Sequence, residues 1–131
     1  MFDFQPNPPF TWPVKVRVPQ KDGTYAEQVF TAEWRAVNED EIRTAIADWQ
    51  KAREEADALP EGATRPKLAR NAAQVLFEKC LVGWQDDLRA NGQPFPFTPA
   101  NVELVALDPL VASALTLSYW DAVQGAMRAK N

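Results

Sequence analysis

Few side chains in this chain could do chemistry. There is no histidine and only one cysteine, Cys80, so the commonest general base is missing and no zinc-ligand spacing can be written. What remains for acid–base work is carboxylates: Glu39-Asp40-Glu41, Glu54-Glu55 and Asp86-Asp87. Each group sits where helix polarity or solvation already accounts for it, since acidic residues suit the positive end of a helix dipole and a solvated face. Cys80 lies in the apolar run Val75 to Val82, a setting for packing more than for a reactive thiol. Five glycines include no phosphate-cradling loop and no nucleophile elbow. No catalytic residue, metal ligand or cofactor is expected.

Function then falls to the large aromatic side chains, which include five tryptophans: Trp12, Trp34, Trp49, Trp84 and Trp120. Such rings on strand or helix faces ordinarily fill a core, and the few left at the surface are what a partner protein would grip. The partner is not expected to be nucleic acid: fourteen basic against eighteen acidic residues give a net charge of -4 and no basic field for phosphates. A membrane is not expected either. The apolar stretch Val102 to Leu117 is broken by Asp108-Pro109 and falls short of the ~20 residues that cross a bilayer. Met1 to Pro13 is rich in proline and aromatics and lacks the pattern of a secretory signal.

The elements that must position these rings can be read from periodicity. From Thr11 to Val18 the residues alternate, placing Trp12, Val14, Val16 and Val18 on one face of a strand. Pro19-Gln20-Lys21-Asp22-Gly23 supplies a turn, and a return strand from about Tyr25 to Ala36 turns Phe30 and Trp34 toward the core. Asn38, with Glu41 three residues later, opens a helix that carries Ile42, Ala45, Ile46, Trp49, Ala52 and Ala56 on one side and ends near Pro60. A second helix is expected from about Arg65-Pro66 through Leu68, Ala72, Leu76, Phe77, Cys80 and Leu81. Thr98-Pro99 and Asp108-Pro109 each read as an N-cap followed by proline in the first turn. They predict a short helix, about Pro99 to Ala106, and a longer one to about Arg128 that buries Leu110, Val111, Ala114, Leu115 and Leu117. The loop Asn91 to Phe97 should be ordered, because Phe95 or Phe97 buries its ring.

The string Leu81-Val82-Gly83-Trp84, then Asn91-Gly92-Gln93-Pro94-Phe95-Pro96-Phe97-Thr98-Pro99-Ala100-Asn101, resembles the tail assembly chaperones of long-tailed bacteriophages. Members of that family carry V-G-W near a helix end, then a D-G-x-P-x-P-F-T/S-P-x-N loop and a C-terminal helix; Asn91 stands where the family often has Asp. The resemblance implies a non-catalytic protein of the host bacterial cytoplasm that binds the tape measure protein and the major tail protein, and self-association is compatible with it. A structural virion component, such as a tail completion or head-tail connector protein, is the competing expectation. The family is commonly made in two forms by ribosomal slippage, and Ala129-Lys130-Asn131 permits a message with a slippery run of adenines.

The fold expected is α+β and mainly helical, one domain over residues 1–131. A flexible arm over 1–10 precedes a β-hairpin over 11–37, which packs on a body of about four helices over 38–131. The candidate protein-binding residues are Trp84, Phe95, Phe97, Tyr119 and Trp120.

Overall fold

The computed structural model describes residues 1–129. Strands β1 (Pro9–Pro19) and β2 (Tyr25–Arg35) form the hairpin, followed by helices α1 (Glu39–Asp57) and α2 (Ala72–Cys80). A short strand β3 (Leu81–Trp84) then pairs antiparallel with β2, giving the sheet order β1-β2-β3. A two-residue ribbon, β4 (Arg89–Ala90) with β5 (Gln93–Pro94), leads to α3 (Pro99–Leu107) and α4 (Pro109–Ala129). The fold is α+β, with helix at 43% outweighing strand at 24%.

The hairpin follows its alternation. Val14, Val16, Phe30, Ala32 and Trp34 are buried on one face, opposite Lys15, Arg17 and Glu27. Trp12 has the same parity as Val14 but remains 38% exposed beside α4. Strand β1 begins at Pro9, two residues before the expected start, and the preceding Phe2 and Phe4 are exposed. Hydrogen bonds from Ala36 N–H to Pro8 C=O and from Gln20 N–H to Thr24 C=O show that even-numbered residues bridge the two strands. Pro9, Pro13 and Pro19 are odd-numbered, so the N–H that each lacks would have pointed off the outer edge of β1 and not into the ladder. One outward carbonyl, that of Pro13, accepts from Ser118 Oγ of α4 at 3.2 Å.

Three helix starts are as expected. Asn38 Oδ1 accepts from Asp40 N–H, Thr98 Oγ1 from Asn101 N–H, and Asp108 Oδ1 from both Leu110 and Val111 N–H. The second helix differs: it starts at Ala72, capped by Asn71, and not near Arg65. Side-chain donors strap the preceding segment along α1, with Trp49 Nε1 donating to Ala69 C=O and Arg53 to Arg70 C=O. These bonds take carbonyls that a longer helix would have used internally. The helix also ends earlier than its apolar run, because Leu81 is extended and V-G-W becomes a strand against β2. In α4, Leu115 is fully buried and Val111 and Ala114 are half-buried, but Leu110 and Leu117 are exposed, contrary to expectation. The helix packs one stripe, Ala112, Leu115 and Tyr119, and Leu117 lies about 200° around the axis from Leu115. Gly125 interrupts the helical backbone with a positive φ of 46°. Lys130 and Asn131, on which the slippage argument depends, lie outside the described residues.

Trp34 and Tyr119 are the largest fully buried side chains, with ring centroids 5.2 Å apart, and Phe77 of α2 packs on the other flank of Trp34 at 6.2 Å. The Tyr119 hydroxyl accepts from Val37 N–H at 3.1 Å, which pins the junction of β2 and α1 onto α4. Burial raises the Tyr119 pKa to about 12 from an ordinary 10.0, and burial likewise pushes the Cys80 thiol up. Tyr119→Phe should cost about 1–2 kcal/mol in urea unfolding, since it leaves Val37 N–H without its acceptor. The pH dependence follows from the neutral phenol being favoured in the folded state. Its contribution is fully present below pH 10.0 and is lost as pH rises to about 12, so the gap between wild type and Tyr119→Phe should narrow over that window.

Candidate protein-binding site

The conspicuous string of glycine, prolines and phenylalanines after β3 is a device for fixing two rings on a tryptophan. Asn91 and Gly92 both adopt positive φ, 52° and 75°, as the central residues of a two-residue turn joining β4 to β5. Such a turn favours Asn-Gly or Asp-Gly, and Asn91-Gly92 supplies the first of these. The turn brings Phe95 back onto Trp84: the two rings stack at 5.5 Å and 13°, and Trp84 Nε1 donates to Phe95 C=O at 2.6 Å. Phe97 meets Trp84 edge-on at 4.9 Å and 82°. Asn101 Nδ2 donates to Pro96 C=O at 2.8 Å, while its backbone N–H is held by Thr98, so the loop and the start of α3 lock together. A Cβ at Gly83 would come within 2.5 Å of Glu33 Oε2, so a side chain there would push the Glu33 carboxylate aside.

Two clefts meet at Phe97. One, of about 340 Å³, is walled by Trp84, Leu88, Arg89, Pro94, Phe95 and Phe97. The other, of about 330 Å³, is walled by Phe77, Glu78, Leu81, Phe97, Pro99 and Val102. Phe97 stands between them and is 40% exposed. Leu104 and Leu107 of α3 are exposed at 58% and 50% but line neither cleft. The second cleft is apolar, whereas the first also exposes Gln85, Asp86 and Arg89, so the aromatic ridge at Phe97 has an apolar flank on one side and a polar one on the other.

The five residues singled out from sequence thus separate. Trp84, Phe95 and Phe97 converge on one site, with Trp84 nearly buried as the platform, Phe95 half-buried and Phe97 outermost. Tyr119 is 1% exposed and carries the core, out of reach of a partner. Trp120 packs edge-on against Tyr119 at 5.1 Å and is half-buried, away from the other three in the chain's packing. The acidic residues Asp40, Glu41 and Asp48 line a shallow, open surface on α1 with Lys79 opposite. Among the described residues no His, Cys, Asp and Glu set could hold a metal ion. No single described helix is long and apolar enough to cross a membrane.

Substitutions should divide the two phenylalanines. Phe95→Ala removes the stacked ring and should cost about 2 kcal/mol with a change in near-UV circular dichroism from Trp84, whereas Phe97→Ala, at a half-open position, should cost less than about 1 kcal/mol. Equal losses in urea unfolding would contradict this geometry.

No match was found among curated proteins or among solved structures. The model of a family described as phage tail assembly chaperone matches residues 1–131, a span that takes in the hairpin, the aromatic loop and all four helices. Membership makes this a non-catalytic assembly protein and implies partners among tail proteins. On that match over its whole length, the chain belongs to the phage tail assembly chaperone family.

Proposed function

We propose that this chain holds the tape measure protein in a soluble form in the host bacterial cytoplasm while major tail protein subunits assemble around it, and that it does so without catalysis. The observation that supports this reading is Phe97, an apolar ring left 40% exposed by a loop that spends two turn residues, two prolines and three hydrogen bonds on holding it in place. Rigid placement of an exposed aromatic lowers the ordering cost of binding. The contact set proposed is Phe97 and Phe95 on the Trp84 platform, extended to the start of α3 by Pro99. Trp120 stands as a second, separate contact candidate, and Tyr119 serves by holding α4 in place. An amphipathic helical segment of the tape measure protein fits this surface, one side chain entering each cleft beside Phe97.

Co-expression provides the test. Wild-type chain should raise the soluble fraction of the tape measure protein, and Phe97→Asp should abolish that effect while leaving its own thermal unfolding within a few degrees of wild type. Equal solubility of the tape measure protein with and without this chain would sink the proposal. Mass spectrometry of purified virions separates it from the structural-component reading: a chaperone should be missing from the particle, and a fixed copy number there would favour a tail completion or connector role.

A further inference from the structure

The aromatic loop turns on a pair of residues with chemistry of its own. Asparagine followed by glycine can close a five-membered ring, because the glycine nitrogen has no neighbouring side chain to hinder its approach to the asparagine Cγ. Asn91-Gly92 is the one such pair in the sequence. Both residues are exposed, and among the described residues neither the Asn91 side chain nor the Gly92 N–H has a hydrogen-bond partner. The ribbon that holds the turn is two residue pairs long, and one pair contains Pro94, which can donate no ladder bond. Opening it far enough for the nitrogen to meet Cγ therefore costs little.

The other described asparagines are held or blocked. Asn38 accepts from Asp40 N–H, Asn71 accepts from Gln74 N–H and donates to Ala106 C=O, and Asn101 donates to Pro96 C=O. Each of these precedes a residue with a side chain, and Asn7 precedes a proline with no N–H to give up. Asp22-Gly23 is the nearest analogue, and both of its reacting groups are occupied: Gly23 N–H donates to Gln20 C=O, and Asp22 accepts from the hydroxyl and the N–H of Thr24. The Thr24 bonds also lower the Asp22 pKa and keep the group as a carboxylate, a poor target for a nitrogen nucleophile.

We infer that Asn91 is a site of spontaneous deamidation whose two products act oppositely on the aromatic site. Gly92 N gives its proton to solvent base and bonds to Asn91 Cγ; the Cγ–Nδ2 bond breaks and the side-chain nitrogen leaves as ammonia. Water then opens the ring. Attack at Cγ restores the ordinary backbone with an aspartate in place of the asparagine. Attack at the main-chain carbonyl carbon breaks its bond to Gly92 N and routes the chain through Cβ and Cγ, an isoaspartyl linkage. Asp-Gly suits the same turn, so the first product keeps Phe95 on Trp84. The second adds a methylene to the main chain inside a two-residue turn, which then releases Phe95 and Phe97 from the positions in which they meet Trp84.

The modification is measured on this chain alone, whether or not the site grips a tail protein. Peptide mass mapping of the full-length protein, held in warm, mildly alkaline buffer, should find Asn91 converted roughly fivefold or more faster than Asn38, Asn71 or Asn101, each of which must first give up a hydrogen bond. An isoaspartate-specific methyltransferase should modify the Asn91 peptide and not the Asp22 peptide, and near-UV circular dichroism from Trp84 should fall in step with the isoaspartyl fraction. Asn91→Asp should start with the wild-type near-UV spectrum, because the added charge leaves the turn intact. Asn91→Gly keeps a turn-forming pair without the reactive amide and should hold its spectrum throughout the incubation. Conversion of Asn91 no faster than of the other three, or the same loss of near-UV signal in Asn91→Gly, would overturn the inference, as would an isoaspartyl fraction that grows while the Trp84 signal stays constant.

Discussion

The Trp34 ring is the contact on which the rest of this molecule depends. It sits on β2, fully buried, with Phe77 of α2 on one flank and Tyr119 of α4 on the other, so three separate parts of the chain meet on one side chain. Its indole N–H has no hydrogen-bond partner among the described residues, a defect worth about 1–3 kcal/mol. Burying a ring of this size returns about 4–6 kcal/mol at the usual ~25 cal/mol per Å², so the ring's burial outweighs the unsatisfied donor. A two-stranded ribbon is marginal in water by itself. Trp34 gives this one a floor, and the Tyr119 hydroxyl then holds the strand's exit at Val37.

The same principle recurs at smaller scale around Trp84. Both clusters place a tryptophan on the sheet, pack it against phenylalanine or tyrosine from elsewhere, and hold the neighbouring backbone through an aromatic side chain, Tyr119 accepting from Val37 N–H and Trp84 donating to Phe95 C=O. They differ in closure. The Trp34 cluster is closed between the sheet and helices α2 and α4, whereas the Trp84 cluster is roofed by a loop, so its outermost ring reaches solvent. Interior packing and partner binding here are built from the same parts, separated by what covers them.

Local rules made much of this fold legible from the residues alone. Alternation located the hairpin, and Asn38, Thr98-Pro99 and Asp108-Pro109 located three helix starts, because each signal acts within a few residues of itself. The failures lie where distant groups decide. Nothing near Arg65 announces that Trp49 and Arg53 will take the carbonyls of Ala69 and Arg70, so local signals place the start of the second helix too early. Leu81 to Trp84 continue a helical apolar run and become a strand only because β2 offers an edge. At the site, the aromatic loop stood out by composition, and Asn91-Gly92 was a hairpin signal there to be read; that Phe97 and not Tyr119 would face outward required knowing which rings α4 covers.

Closure of α4 over the sheet also carries a cost in time. The bond from Ser118 to the Pro13 carbonyl spans 105 residues, and that from Tyr119 to Val37 spans 82. During synthesis at ~5–20 residues per second, the hairpin therefore leaves the ribosome about 5–20 s before the helix that covers it exists. Throughout that interval its apolar face is open to whatever other nascent chains are near. Prolines along the outer edge of β1 are in place from the first moment and need no later partner to do their work. Their placement protects the half-made chain on the ribosome as well as the finished one.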